Sequence, residues 1–398
     1  MTGSTIRTRT AALARTAFAA LALFGAAAQA QAPLVVGASV AQTGAHADLG
    51  AEYARGLELW RDQVNAAGGL LGRPVELRIL DDGSDASRVR ALYARLVQEK
   101  ADALIGPYGT AATLVAAAEA EAAQRVLING AGWSRAVHNR SPRYVFQSAV
   151  PYAAYGAPVL ELARDAGLKK AVILARDDPA STEMGAAASA EAKRLGVLAG
   201  EVQAFSGGIQ DFVPLVRRLA AASPEAWIVY GEARDAAEIV KAFRKLNYAP
   251  KLLFVRGAAD ARLLDMLGQD AEYAMGAAPF HPRAAGAEAF VRAYEARWNR
   301  RPGVAAAEGY AAGTVLAEGV RRAGTSEPRA LRGALGALQT ATVLGPFKVD
   351  PATGEQVAAQ PAVVQVVLGR YEVVAPPVRA TAKAVLPYPA WEDRRLLK

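Results

Sequence analysis

Few residues in this chain are of a type that could carry reaction chemistry, and their spacing narrows them further. The 398 residues include three histidines and no cysteine. His46 lies in a polar loop, His138 precedes Asn139-Arg140, and His281 precedes Pro282. No two of them stand at the spacing of a metal pair, and without a thiol there is no sulfur nucleophile. A Gly-x-Ser-x-Gly elbow and a phosphate loop ending in Gly-Lys-Ser/Thr are both missing from the sequence. Asp81, Asp82 and Asp85 cluster at a strand-to-helix turn, where such acids cap the helix. The sequence therefore predicts no catalytic residue, no metal site and no cofactor. What remains is binding chemistry. Thr110 follows the loop Gly106-Pro107-Tyr108-Gly109 and heads an alanine-rich segment suited to a helix. A helix start offers free N–H groups and partial positive charge, which suit a carboxylate. Thr110 is read either as that contact or as the cap of its own helix. A second loop, Asn129-Gly130-Ala131-Gly132-Trp133-Ser134, places a hydroxyl and an indole in a comparable position.

Elements must bring these loops together. Ala103-Leu104-Ile105 and Val126-Leu127-Ile128 read as short buried strands on either side of the helix, so both loops fall at strand carboxyl ends, where ligands bind in open parallel sheets. Upstream, residues 34–40 form an apolar strand, and Tyr53, Leu57, Trp60 and Val64 recur at helical spacing until Gly68-Gly69, making Trp60 a core residue. Val75, Leu77 and Ile79 alternate with charged residues as in a strand near an edge. Residues 144–151 are extended and leave this unit. A second series of strands is expected at 171–175, 201–205, 226–230 and 252–255, with helices between them. Strict alternation of this kind predicts parallel sheets covered by helices on both faces. Further extended segments occur near Met275 to Pro279 and at residues 343–347. Residues 360–368 and 371–374 predict a closing hairpin, and the proline-bearing tail from Pro376 is expected to lie along the surface without regular structure.

The length suggests two domains, and 52% hydrophobic with 21% charged residues is a globular composition. At the N-terminus, Arg7, Arg9 and Arg15 precede an apolar run from Ala17 to Ala28, followed by the small residues of Ala28-Gln29-Ala30. That is the pattern of a cleavable secretory signal peptide over 1–30, and the run is short of the ~20 residues of a spanning helix. A lipid anchor at the cleavage point would need a cysteine. Cleavage removes three arginines and takes the formal charge from +8 to +5. The bases are interspersed with acids and form no stripe, so no nucleic-acid partner is expected.

Several motifs in order carry a resemblance: the loop with Thr43-Gly44 and Gly50, residues 65–73 reading Asn-Ala-Ala-Gly-Gly-Leu-Leu-Gly-Arg, Asp81-Asp82, Ile105-Gly106-Pro107 and Tyr144-Val145-Phe146. Together they resemble the periplasmic leucine/isoleucine/valine-binding protein family, the type I solute-binding proteins of ABC importers, over nearly all of the mature chain. The resemblance implies an α/β fold of two Rossmann-like lobes joined by three crossing segments, and a ligand held between the lobes by hinge closure. It implies an N-terminal lobe of residues 31–149 and 279–343, a C-terminal lobe of 150–278 and 344–375, and a tail of 376–398. The implied partners are a small amino-acid-like or carboxylate ligand and importer permease subunits. The implied state is a periplasmic monomer, with a ligand-sensing protein of the same fold as the alternative.

Carried onto this chain, the resemblance implies Thr110 and the neighbouring Tyr108 as the carboxylate site. It implies a carbonyl and a donor from Gly132 (or Ala131) and Ser134, with Trp133 either walling the cleft or packing on a helix. Elsewhere the pattern departs. Leu49 stands at a first-lobe tyrosine position, with His46 nearby, and Thr182 lies in a loop lacking the expected tyrosine. Arg256 follows Val255 where an acid facing the ligand ammonium would come. A buried ammonium without a partner is costly. Two repairs stay open: Glu232 supplies the acid, or the ligand lacks an ammonium and Arg256 serves as a further cation.

Overall fold

The computed structural model describes residues 32–394. The signal-peptide expectation lies outside them. Among the described residues no helix is long and apolar enough to cross a membrane.

The first lobe grows from β1 (Leu34–Val40), every residue of which is buried. Chain order then gives α1 (Ala47–Ala66), β2 (Val75–Asp81), α2 (Ala86–Gln98), β3 (Ala103–Ile105), α3 (Thr110–Ala122), β4 (Leu127–Asn129) and β5 (Val145–Gln147). All pairings are parallel, in the order β2-β1-β3-β4-β5. A sheet of this order reverses direction between β1 and β3, and that switch point opens a crevice at the strand ends. The aspartate cluster is structural: Asp85 caps α2, and Asp81 and Asp82 tie the turn before it to β1 and the loop that follows β1. Asp81 accepts from the backbone N–H groups of Gln42, Thr43 and Gly83, Asp82 from the Ser39 hydroxyl and Ser84 N–H, and Asp85 from Ser87 at the head of α2.

The second lobe contains α4 (Ala157–Asp165), β6 (Lys170–Arg176), α5 (Pro179–Leu195), β7 (Leu198–Ala199), β8 (Gln203–Phe205), α6 (Val213–Ala220), β9 (Ala226–Tyr230), α7 (Ala233–Lys245), β10 (Leu252–Val255), α8 (Arg262–Leu267) and β11 (Met275–Ala278). The chain returns to the first lobe through α9 (Glu288–Trp298), α10 (Val304–Ala323) and α11 (Pro328–Gly336). It continues in the ribbon β12 (Thr340–Thr342) and β13 (Gly345–Phe347), and closes with β14 (Ala362–Val367) and β15 (Arg370–Ala375) on the second sheet. That sheet runs β15-β14-β11-β10-β9-β6-β7, with β8 also on β6. Its β6 to β11 pairings are parallel, as expected of the strand-helix units, and the predicted hairpin makes the sheet mixed by joining β11 antiparallel. A two-residue turn reverses the chain at once, so β15 must run against β14.

Two other expectations shift. The final passage between lobes falls after Gln356 and not at Gly345. Phe347 and Val349 are buried in the first-lobe core, and Gly354 and Gln356 bond Gln147 of β5. The tail does lie on the second lobe, but it is anchored. Tyr388 donates to the Leu253 carbonyl, Trp391 donates to the Tyr248 carbonyl, and the Arg394 guanidinium sits 3.5 Å over the Trp391 ring. Arg379, only 4% exposed, donates through one nitrogen to the carbonyls of Pro279, Leu344 and Gln360 at 3.1–3.2 Å. It thereby ties the tail to two of the segments that pass between the lobes.

A close helix contact shapes the crevice. A Cβ on Gly56 of α1 would lie 2.0 Å from the Ala306 carbonyl, and one on Gly309 of α10 would lie 2.3 Å from the Tyr53 carbonyl. The two backbones approach through these glycines. Their approach sets α10 deep against α1, so the second turn of α10 borders the crevice.

Candidate ligand cleft between the lobes

A cleft of about 340 Å³ opens where the lobes meet, within the size range of small-molecule sites. The first lobe contributes Tyr108 after β3, Trp133 after β4, and Val304 and Glu308 of α10. The second lobe and its connections contribute Tyr152, Tyr155, Glu232, Arg256, Asp260 and the segment around Ala278-Pro279. A surface pocket of about 420 Å³ at the β6–β7 edge is larger but touches neither loop.

The walls are aromatic and continuous. Tyr53, Tyr108, Trp133, Tyr152 and Tyr155 succeed one another with ring centroids 6.1, 5.3, 5.9 and 6.3 Å apart, mostly edge-to-face. That geometry suits the ring quadrupoles. Burial pushes the phenol of Tyr152 up to about 12 and those of Tyr108 and Tyr155 well above their ordinary value. All three therefore stay neutral donors over the physiological range.

Glu308 is the buried carboxyl of the cleft, with 0% exposure. Its Oε1 accepts from Trp133 Nε1 at 2.6 Å, while its Oε2 is enclosed and has no hydrogen-bond partner. Burial pushes the carboxyl up to about 8; the Trp133 bond works against that rise and nearby Glu52 adds to it. At neutral pH the group is chiefly protonated, a carboxylic acid waiting beside an open cleft. Glu52 itself accepts from the Gly303 N–H that starts α10, and burial raises its carboxyl as well.

On the opposite wall Arg256 and Glu232 bind each other. Glu232 also shares a capping box with Asp235 at the head of α7, which accounts for its place after β9. Neither is a free charge. Arg256 keeps one enclosed nitrogen, Nε, without a partner.

The structure sorts the residues singled out from sequence. Tyr108, Trp133, Glu232 and Arg256 converge on the cleft. Thr110 begins α3 with its hydroxyl enclosed and unpartnered, but it is not among the lining residues. Gly132 is bonded within the first lobe and does not line the cleft: its carbonyl accepts from Asn129 and Gln147, its N–H donates to Asn129, and the Ala131 carbonyl takes the Gly109 N–H. Ser134 turns to the other lobe, donating at 2.5 Å to Glu183 of α5, which also takes the Arg135 N–H at 3.0 Å. His46 and Leu49 lie at the start of α1, Thr182 lies exposed on α5, and none of the three lines the cleft.

Sequence reasoning missed Tyr152, Tyr155 and Glu308. The first two sit in Pro151-Tyr152-Ala153-Ala154-Tyr155-Gly156, just past the first extended crossing. For Glu308 the signal was its neighbours at helical contact spacing: Val304, Ala305, Ala311 and Ala312, all apolar. A lone acid amid the apolar face of a helix is either costly or functional.

Comparison with known proteins agrees with this architecture. The family model described as periplasmic binding protein matches residues 33–370. An amino acid binding protein of Pseudomonas aeruginosa is 26% identical over 260 residues, covering 63% of this chain and 68% of that protein. Among solved structures, a Rhodospirillum rubrum chain described as a putative branched-chain amino acid ABC transporter superposes with a TM-score of 0.78 at 23% identity. It covers 86% of this chain and 100% of that one. A solute binding protein of an ABC transporter from Rhodopseudomonas palustris, in complex with 3,4-dihydroxy benzoic acid, has a TM-score of 0.67 at 24% identity over 89% of this chain and 98% of that one. At these identities the superpositions speak for the fold.

Proposed function

The chain belongs to the periplasmic binding protein family, and from that premise we propose that it is a periplasmic solute-binding protein of an ABC importer. In this reading it captures a small amino-acid-like or carboxylate solute between its lobes and presents the closed form to the permease. It acts as a monomer, after removal of a signal peptide, and performs no reaction on its cargo. The observation that carries the reading is the cleft itself: both lobes contribute side chains to one aromatic-walled space with a buried unpartnered carboxyl oxygen. A small ligand would supply contacts to those rings and to that polar atom.

Support also comes from the connections. Because three segments join the lobes, the motion open to them is a hinge about those segments. Ser134 and Arg135 on one lobe bond Glu183 on the other, contacts that hold the lobes together outside the cleft lining. The test is calorimetry and small-angle scattering of the mature chain with a panel of amino acids, amines and aromatic and aliphatic acids. Saturable one-to-one binding with a reduced radius of gyration is the expected result. A full panel that neither binds nor compacts the protein would remove the reading.

A further inference from the structure

We infer that Glu308 determines the charge of the cargo: the cleft takes a solute carrying a cationic nitrogen, which binds the free Oε2 of Glu308 within the rings of Tyr108, Trp133, Tyr152 and Tyr155. This rests on the solute-binding reading and narrows it.

The sign of the charge is set by the lining. The ionisable acids and bases around the cleft are Glu232, Asp260 and Glu308 against one base, Arg256. Arg256 is already bound to Glu232, and Asp260 to Arg262. An anion entering this space would meet no unpaired cation, and beside Glu308 it could be received only by the protonated form of that group. A cation would meet the one buried carboxyl oxygen that is without a partner among the described residues. It would also meet ring faces, whose negative quadrupole attracts a desolvated ammonium. The neighbours of Glu308 on every side act in the same direction. Glu52 and Tyr53 approach from α1, Tyr108 and Trp133 from the loops after β3 and β4, and Tyr152 and Tyr155 from the second lobe. Arg55 and Arg300 oppose this only at Glu52. Among the residues that line the cleft Arg256 is the one base, and its Nε, like Oε2 of Glu308, is enclosed without a partner. A molecule with a cationic nitrogen at one end and an oxygen acceptor at the other satisfies both orphaned atoms.

A consequence separates this from a site for a plain acid. Burial holds Glu308 chiefly protonated, so capture of a cation must release that proton, whereas a carboxylate ligand would retain it as a shared hydrogen bond. Cation affinity therefore rises with pH and anion affinity falls.

The test pairs each aminated probe with its nitrogen-free counterpart: L-leucine with 4-methylpentanoate, L-phenylalanine with 3-phenylpropanoate, and benzylamine with benzyl alcohol, together with the other common amino acids and quaternary amines. Titrations run at pH 6, 7, 8 and 9 in two buffers of different ionisation enthalpy. The expected result is binding confined to aminated members, tightening about tenfold per pH unit up to about pH 8 and then levelling, with about one proton released per ligand at pH 6. Glu308→Gln should weaken the aminated probes at least tenfold and abolish the pH slope, with folding checked by circular dichroism. Tighter binding of the nitrogen-free acids, or a Glu308→Gln protein with unchanged amine affinity, would overturn the assignment and leave the solute-binding reading standing. No binding by either set would overturn both.

Discussion

The raised Glu308 carboxyl makes a prediction about folding that needs no ligand. In the unfolded chain this group titrates near its ordinary value of 4.5; burial moves it to about 8 in the folded protein. Between those values the folded state holds a proton that the unfolded state has released. Stability must therefore fall as pH rises across this window. At about 1.4 kcal/mol per unit, the loss between pH 5 and pH 8 amounts to roughly 4 kcal/mol, an upper figure because water entry and side-chain relaxation lessen it. Replacing Glu308 with Gln keeps the shape and an acceptor for Trp133 Nε1, but removes the ionisable proton. The two proteins should be of similar stability at pH 5, where Glu308 is neutral in the fold, and the variant should be more stable by several kcal/mol at pH 8. The assay is urea unfolding of both proteins at pH 5, 6, 7 and 8, with the difference taken at each pH so that the other titrating groups cancel. A difference that changes by less than roughly 1 kcal/mol across the range would refute a buried, proton-holding Glu308.

Other changes report on the parts that hold this group and the hinge. Arg379→Met leaves three buried carbonyls without their shared donor and should lower stability by about 3 kcal/mol or more in denaturant unfolding; a loss under about 0.5 kcal/mol would mean that the clasp is not structural. Gly56→Ala drives a methyl into the Ala306 carbonyl and should cost about 1–3 kcal/mol, seen as a lowered melting temperature, because α1 and α10 cannot both keep their places. Glu183→Ala removes the contacts to Ser134 and Arg135; scattering should show a larger radius of gyration, with unfolding free energy changed by less than about 1 kcal/mol. Thr110→Val tests the helix-start reading, with a loss of ~1–3 kcal/mol in ligand affinity expected if the unpartnered hydroxyl reaches the solute, and none if it does not.

Much of the architecture was legible in the residue order. Apolar runs of strand length alternated with helical periods, and glycine or proline marked the joints, so both sheets and the closing hairpin could be placed. Local chemistry also decided the Asp85 cap, whose partner Ser87 lies in the same turn, whereas Asp81 and Asp82 add partners from the loop after β1 and from β1 itself. Tyr108 and Trp133 were reachable because each comes just after a strand end in the lobe where the motifs were clearest. The mixed character of the second sheet was not read, because an alternation of strands and helices does not say which neighbour a late hairpin joins.

The charge pattern of the cleft belonged to tertiary structure alone. Trp133 and Glu308 are 175 positions apart, and only the docking of α10 against α1 makes them a bonded pair. Glu232 and Arg256 each looked like a candidate for the ligand until the fold let them neutralise one another. Ser134 carried the right donor in the right loop, yet Glu183 from the other lobe takes it. The sequence by itself determined which residues could be charged, aromatic or small, and which segments would be strands and helices. Which charge is left without a partner depends on desolvation and on contacts between distant segments, and those exist only once the lobes are packed.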